Sequence, residues 1–349
     1  MRHLLSVFNS QLLVSVTWKH QLNLESRTCS IRTRASMSFS IVNSYIKLRG
    51  TLDSRSNEPL PSIETITTTT STLPMALPRT GLGEQATANH LLEDLVSALN
   101  GTKTSSNYYG FVCGGVLPIA EFADNVVSAY DQMVAMHLPT HSISTIVEDR
   151  ALKMLLELLN LKPEKWKGRT FTTGATGSNI LGLACGREFV IGKRLREKGE
   201  SRSVGELGLV KAMRLAGVKD VQVLVAMGHS SVIKAAGIVG LGRDCVKDVG
   251  RKSEPWIVDF DLLEEELKRE VEGVLSILSI SAGEVNAGKF GTGMETLGMI
   301  RTLCDMYGAW LHIDGGKFAP TLSCEVQFLN LRQLSGYLGE VSHKHLNSH

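Results

Sequence analysis

The sequence predicts an α/β fold built on a largely parallel sheet. Three observations carry this expectation. Short apolar runs at 221–226 ("VQVLVA"), 274–281 ("VLSILSIS") and 309–314 ("AWLHID") have the length and composition of buried strands. Segments with helical apolar spacing lie between them, and strands that alternate with helices build parallel sheets. Three polar spots fall at strand ends, where ligands of such sheets bind. They are the turn at 174–179, "GHSS" at 228–231 and Asp314.

In chain order, residues 1–52 come first. They carry one acidic residue, Glu25, against Arg2, Lys19, Arg27, Arg32, Arg34, Lys47 and Arg49, and are rich in serine. That composition resembles a mitochondrial transit peptide. The plainer readings are an unstructured leader, or a gene start misplaced ahead of Met37 or Met75. The tract "TITTTTSTLP" at 65–74 is low in complexity and reads as a linker. Residues 1–80 are therefore expected to be leader and linker, and 85–349 the globular part.

Two helices follow, over "IAEFADNVVSAYDQMVAMH" (119–137) and "HSISTIVEDRALKMLLELLNL" (141–161). Pro139 separates them, and Ser142 or Ser144 is the candidate cap of the second. After the first strand, "SSVIKAAGIVG" at 230–240 is helical with Ser230 as candidate cap. "FDLLEEELKRE" at 260–270 is an amphipathic helix. "METLGMIRTLCDMYG" at 294–308 is a helix ending at Gly308.

The bulk numbers exclude several classes. The chain has 349 residues, 43% hydrophobic and 21% charged, with a net charge of +2. That balance makes no case for nucleic acid or an anionic membrane, and no apolar run is long enough for a spanning helix. Cys29, Cys113, Cys185, Cys245, Cys304 and Cys324 are scattered, with no CxxC and no Cys/His spacing. Neither a disulfide framework nor a metal site is expected, and reduced thiols in a cytoplasmic setting fit better.

The segment "FTTGATGSNILGLACGRE" at 171–188 is rich in Gly, Ala, Ser and Thr, yet it runs into a helical pattern. Such a turn can be a packing device between a strand and a helix. It can also leave helix N-terminal N–H groups open to an anion, with Thr and Ser hydroxyls as further donors. It lacks the Gly-Lys-Ser/Thr ending of a Walker A loop and is not GxGxxG. Asp314, at the end of its strand, can cap a core or hold a cationic ring nitrogen. His229 can be structural or can offer a flat ring. Together, a phosphate cup, an imidazole and a carboxylate suit a phosphorylated pyridinium, as in pyridoxal phosphate.

At these residues the chain resembles the group II pyridoxal-phosphate-dependent amino acid decarboxylases, over roughly residues 108–314. "NYYGFVCGGVLPIAEFAD" resembles the family's early substrate-side segment. "TTGATGSNILGLACGRE" resembles its phosphate turn, "GHSSVIKAAGIVGLG" its ring-stacking histidine segment, and "WLHID" its His-Val-Asp. The resemblance implies the large domain of a fold-type I pyridoxal-phosphate transferase, a mostly parallel sheet flanked by helices. It implies that Ala175 and Thr176 bind the phosphate. His229 would stack on the ring and approach the substrate carboxylate, and Asp314 would hold the ring nitrogen. Val285 and Asn286 fall in a loop that has no carried-over role. Tyr108, Tyr109 and Phe111 suit an aromatic or an aliphatic substrate equally. Family sites lie between subunits, which implies a homodimer.

The family's aldehyde-binding lysine lies in a His-Lys pair, and the tail "EVSHKHLNSH" offers His343-Lys344. Lys344 is thus the expected catalytic lysine, beside His229; the alternative is a charged tail. Lys289 and Lys317 stand in non-matching surroundings. The family continues past this lysine, so the chain reads as a large domain without its C-terminal small domain. The implied activity is decarboxylation of an L-amino acid to its amine and CO2. The alternatives are a truncated, non-catalytic relative or another fold-type I pyridoxal enzyme. A Rossmann dehydrogenase lacks its glycine fingerprint.

Overall fold

The computed structural model describes residues 39–108, 116–159, 161–283 and 292–315. They fall into two compact units divided after Glu121. In the first unit, α1 (Ile41–Asp53) is capped by Ser40, whose hydroxyl accepts the N–H of Asn43. Helix α2 (Ile63–Thr72) covers most of the tract expected to be a linker. The threonines are weak helix formers, but local bonds hold them. Ser62 accepts the N–H of Thr65, and the hydroxyls of Thr67 and Thr70 donate to the carbonyls of Ile63 and Ile66 at 2.8 and 2.7 Å. Helix α3 (Glu84–Asn89) runs on into a π-helical turn over His90–Leu95. Glu121 pairs with both Arg49 and Lys103.

Helix α4 (Pro118–Ala129) stops short of the expected 119–137. Asp131 adopts φ 48°, and the N–H of Gln132 reaches back to the carbonyl of Val127 at 3.0 Å. That left-handed C-terminal cap ends the helix. Helix α5 (Ser144–Leu158) has no side-chain bond from its N-cap residue, Ile143; the hydroxyl of Ser142 instead accepts the N–H of Ser144 at 3.1 Å.

The sheet unit then follows in order: α6 (Ala175–Glu197), α7 (Val204–Leu207), α8 (Leu209–Ala216), β1 (Asp220–Val225), α9 (Ser230–Ile238), β2 (Val246–Asp248), α10 (Phe260–Lys268), β3 (Val274–Ser281), α11 (Met294–Met306) and β4 (Trp310–Asp314). All strand pairs are parallel, in the order β2-β1-β3-β4. The chain leaves β1 to one side for β2 and returns to the other side for β3. The topological switch therefore lies between β1 and β3, where such sheets bind ligands beyond the strand ends.

Strand side chains alternate between two cores. Val221, Val223 and Val225 of β1, with Leu275 and Ile277 of β3, pack with Leu183, Val190 and Ile191 of α6 and with Val232, Ala235 and Ala236 of α9. On the other face, Leu224, Leu278 and Ile280 pack with Leu263 and Leu267 of α10 and Ile300 and Cys304 of α11. Both faces of the central strands are covered, so they read as continuous apolar runs. Helix α6 lies close to β4 because it carries glycines there. A Cβ at Gly182 would come within 2.3 Å of His312 Cε1, and one at Gly186 within 2.7 Å of Trp310 Cδ1.

Candidate functional site

Three chain segments converge at the carboxyl ends of β1 and β4. Helix α6 starts at Ala175 and Thr176, both exposed, after Gly174 at φ 143°. Gly174 provides no side-chain cap, so the first-turn N–H groups lack the usual partner and the positive end of the helix faces outward. The hydroxyl of Thr172 bonds the Gly174 carbonyl at 3.0 Å and sits 2.7 Å from the Ser178 hydroxyl. These bonds hold the turn from outside and leave its N–H groups open.

His229 follows β1 through Met227 and Gly228. Met227 is in the left-handed region, φ 51°, a conformation that bulky residues adopt under tertiary constraint. A side chain at Gly228 would crowd Val225 to within 2.8 Å. His229, not the expected Ser230, is the N-cap of α9: its Nδ1 accepts the Ser231 N–H at 3.2 Å and lies 2.7 Å from Ser231 Oγ. A histidine in that position spends Nδ1 on the backbone and leaves Nε2 available. A cavity of about 290 Å³ lies beside it, lined also by Met227, Val232, Ile233 and Asp248. Neither Ala175, Thr176 nor Asp314 lines that cavity.

Asp314 is the last residue of β4, on the same face as His312 and Trp310. Its Oδ2 accepts from Asn179 Nδ2 at 2.9 Å. The same amide nitrogen donates to Ser231 Oγ at 2.9 Å, and Asn179 Oδ1 lies 2.8 Å from His312 Nε2. Asn179 is 1% exposed. The ring of His312 lies under Gly182; burial pushes its pKa below the ordinary 6.5, and the Asp314 charge opposes that shift.

Four of the expected site residues thus share one neighbourhood. Ala175 and Thr176 begin the helix whose next turn carries Asn179, and Asn179 reaches both Asp314 and the Ser231 hydroxyl that meets His229. Lys344, Lys289, Lys317, Val285, Asn286, Tyr109 and Phe111 lie outside the described residues. Asn179, Ser231 and His312 were not read as site residues from sequence. One signal could have found Asn179. It falls on the stripe 179, 183, 186, 190 that α6 buries, and a polar residue at a core position needs a partner.

Comparison with known proteins bears on this arrangement. No family model matches the chain. L-2,4-diaminobutyrate decarboxylase of Acinetobacter baumannii is 33% identical over 149 residues, 41% of this chain and 27% of that protein. Cysteine sulfinic acid decarboxylase of Rattus norvegicus is 32% identical over 87 residues, 25% of this chain and 17% of that protein. Over these stretches the chain is similar to both amino acid decarboxylases. Among solved structures, the glutamate decarboxylase domain of a Vibrio parahaemolyticus diaminobutyrate-pyruvate transaminase and L-2,4-diaminobutyrate decarboxylase gives a TM-score of 0.62 at 18% identity. The match covers 84% of this chain and 61% of that one. Oryza sativa TDC with PLP gives a TM-score of 0.62 at 17% identity, covering 86% and 63%. The chain therefore shares the fold of these solved structures over the matched span. The matched stretches span about a quarter or less of the curated relatives, and the chain about three fifths of the solved structures. No helix among the described residues is long and apolar enough to cross a membrane.

Proposed function

We propose that this chain carries the cofactor-binding part of a pyridoxal-phosphate-dependent decarboxylase, which converts an L-amino acid to its amine and CO2. The observation that carries the reading is the buried Asn179 amide. It ties the Asp314 carboxylate to the Ser231–His229 cap beside an uncapped helix N-terminus.

The residues present fit a phosphorylated pyridine. The α6 N-terminus lacks a side-chain cap, which suits a phosphate. In this reading the N–H groups of Ala175 and Thr176 and the Thr176 hydroxyl hold the phosphate. Asp314 accepts the ring N–H and keeps that proton in place. His229 would offer its ring to a face of the cofactor and its Nε2 to the substrate carboxylate. Lys344 would supply the amine that takes the aldehyde. When bound, pyridoxal phosphate supplies an electron sink for the pair released as CO2 departs. The chain's own contribution is to orient the carboxylate and exclude water around it.

Residues 85–349 would form the large-domain portion, with 1–80 ahead of it. The expected second copy is supported by α4, where Ile119, Phe122 and Val126 share one helix face at 70, 64 and 41% exposure. Exposed apolar stripes of this kind mark association surfaces. A cytoplasmic location fits the scattered thiols.

Borohydride trapping tests the reading. The chain is mixed with pyridoxal phosphate, reduced, digested and mapped by mass. A pyridoxyl group on Lys344, with CO2 released from at least one amino acid before reduction, is the expected result. No modified lysine and no CO2 from any amino acid would reject it.

A further inference from the structure

We infer that Asn179 is a positioning residue: it sets the direction of a hydrogen-bond chain from Asp314 through Ser231 to His229, and so helps to hold the proton of neutral His229 on Nε2. The inference rests on the cofactor-site reading for its use, but not for its geometry.

The direction follows from donor and acceptor chemistry. An ionised carboxylate only accepts, so the Asn179 atom 2.9 Å from Asp314 Oδ2 is the NH2 group. The second N–H of that group points to Ser231 Oγ at 2.9 Å. Ser231 Oγ accepts there and has its own proton left to donate. The acceptor in reach is His229 Nδ1, 2.7 Å away. The backbone confirms the direction from the other end, since the Ser231 N–H also points at Nδ1, at 3.2 Å. With Nδ1 accepting twice, a neutral His229 carries its proton on Nε2. Among the described residues Nε2 has no hydrogen-bond partner, so it remains for a ligand. The remaining atom of Asn179, Oδ1, accepts, so His312 Nε2 at 2.8 Å must donate.

The Asn179 amide supplies what this chain of bonds needs. The position is buried, so water cannot replace the amide. It must donate twice and accept once in one plane. An aspartate there offers only acceptors and sets two carboxylates against each other.

The test reads the two rings directly. The full chain is labelled with ¹⁵N-histidine, and ring-nitrogen shifts report which nitrogen carries the proton. His229→Gln and His312→Gln assign the signals. In the wild-type chain both rings should carry the proton on Nε2. In Asn179→Asp, His312 should gain a second proton near neutral pH, and pyridoxal phosphate should bind about tenfold or more weakly, the range expected when a bond to a charged group is lost. If that variant does not fold, Ser231→Ala cuts the chain beyond Asn179. It should shift the His229 signal toward a mixture of tautomers and leave His312 unchanged.

A proton on Nδ1 of either ring in the wild-type chain overturns the inference. So does a variant that folds with both ring signals unchanged. If the tautomers are as stated but the wild-type chain takes up no pyridoxal phosphate, the bond chain stands and the proposed function fails. If the cofactor binds and the tautomers differ, the function stands and this inference fails.

Discussion

The side-chain nitrogen of Asn179 lies 2.9 Å from the carboxylate of Asp314, 135 positions further along the chain. One residue comes from the start of the second turn of α6 and the other from the last position of β4. Their meeting requires α6 to lie almost on the strand, and Gly182 and Gly186 permit that approach one and two turns later. The polar contact and the small-residue pattern are thus one device. Glycines bring the helix down, and the amide then reaches the sheet end.

Substitution of these glycines should separate close approach from helix propensity. Gly→Ala in a helix gains about 1 kcal/mol where there is room. At Gly192 the neighbour of a new Cβ is Arg196 Nη1 at 3.3 Å, the far end of a flexible side chain. Gly192→Ala should be neutral or stabilising by up to that amount. At Gly182 the neighbour is the ring of His312 at 2.3 Å, and overpacking costs about 1–3 kcal/mol. Gly182→Ala should lower the midpoint of urea unfolding while Gly192→Ala does not. Equal midpoints for the two variants would show that α6 is not held against His312.

The buried ring of His312 makes stability depend on pH. Unfolded, it takes up a proton near its ordinary value of 6.5; folded, burial holds that value lower. Below pH 6.5 the unfolded chain therefore binds more protons, and stability falls as pH falls. The contribution has a limiting slope of about 1.4 kcal/mol per pH unit for one proton, until the folded ring titrates too. Unfolding measured from pH 7.5 down to pH 5 should show a smaller loss for His312→Gln than for wild type. A steeper loss in the variant would contradict the assigned direction.

Much of the sheet was legible because its strands are short apolar runs with helices between them. The apolar run at 274–281 became β3, and that at 221–226 became β1 with a shift of one residue. The His229, Asp314 and Ala175–Thr176 neighbourhood was legible because such folds bind at strand ends. The bonds that join it were not. Ser231 and His312 lie 52 and 133 positions from Asn179, and local pattern holds no information at that range. Helix α2 escaped notice because threonine propensity argues against it, whereas its Ser62 cap and hydroxyl-to-carbonyl bonds decide locally. The end of α4 was missed because Asp131 takes a left-handed conformation that its sequence context does not announce.

The thiols should divide by burial. Cys245 and Cys304 are buried, with pKa values pushed up to about 11 and about 12 by desolvation, while Cys185 is exposed on α6. The thiolate is the reactive form, so of these three thiols iodoacetamide at pH 8 should label Cys185 first. Peptide mapping should find Cys245 and Cys304 unlabelled until denaturant is added. Fast labelling of Cys304 in the native chain would mean that α11 does not stay packed on the sheet.

Asp314 offers a test in which shape is kept and charge removed. In Asp314→Asn the Asn179 amide can still bond the remaining side-chain oxygen, so the fold should persist with a small change in stability. What disappears is the negative charge that the proposed site places against a ring N–H, and charge-assisted bonds are roughly twice as strong as neutral ones. Pyridoxal phosphate should bind at least about tenfold more weakly, and CO2 release should fall by about two orders of magnitude or more, the scale seen when a charge-stabilising group is lost. Asp314→Glu keeps the charge but lengthens the arm, and should recover cofactor affinity better than turnover, since turnover also depends on where the ring is held. Cofactor titration and CO2 release, measured on both variants, read these two effects separately. An Asp314→Asn chain that binds and turns over like wild type would remove Asp314 from the proposed site.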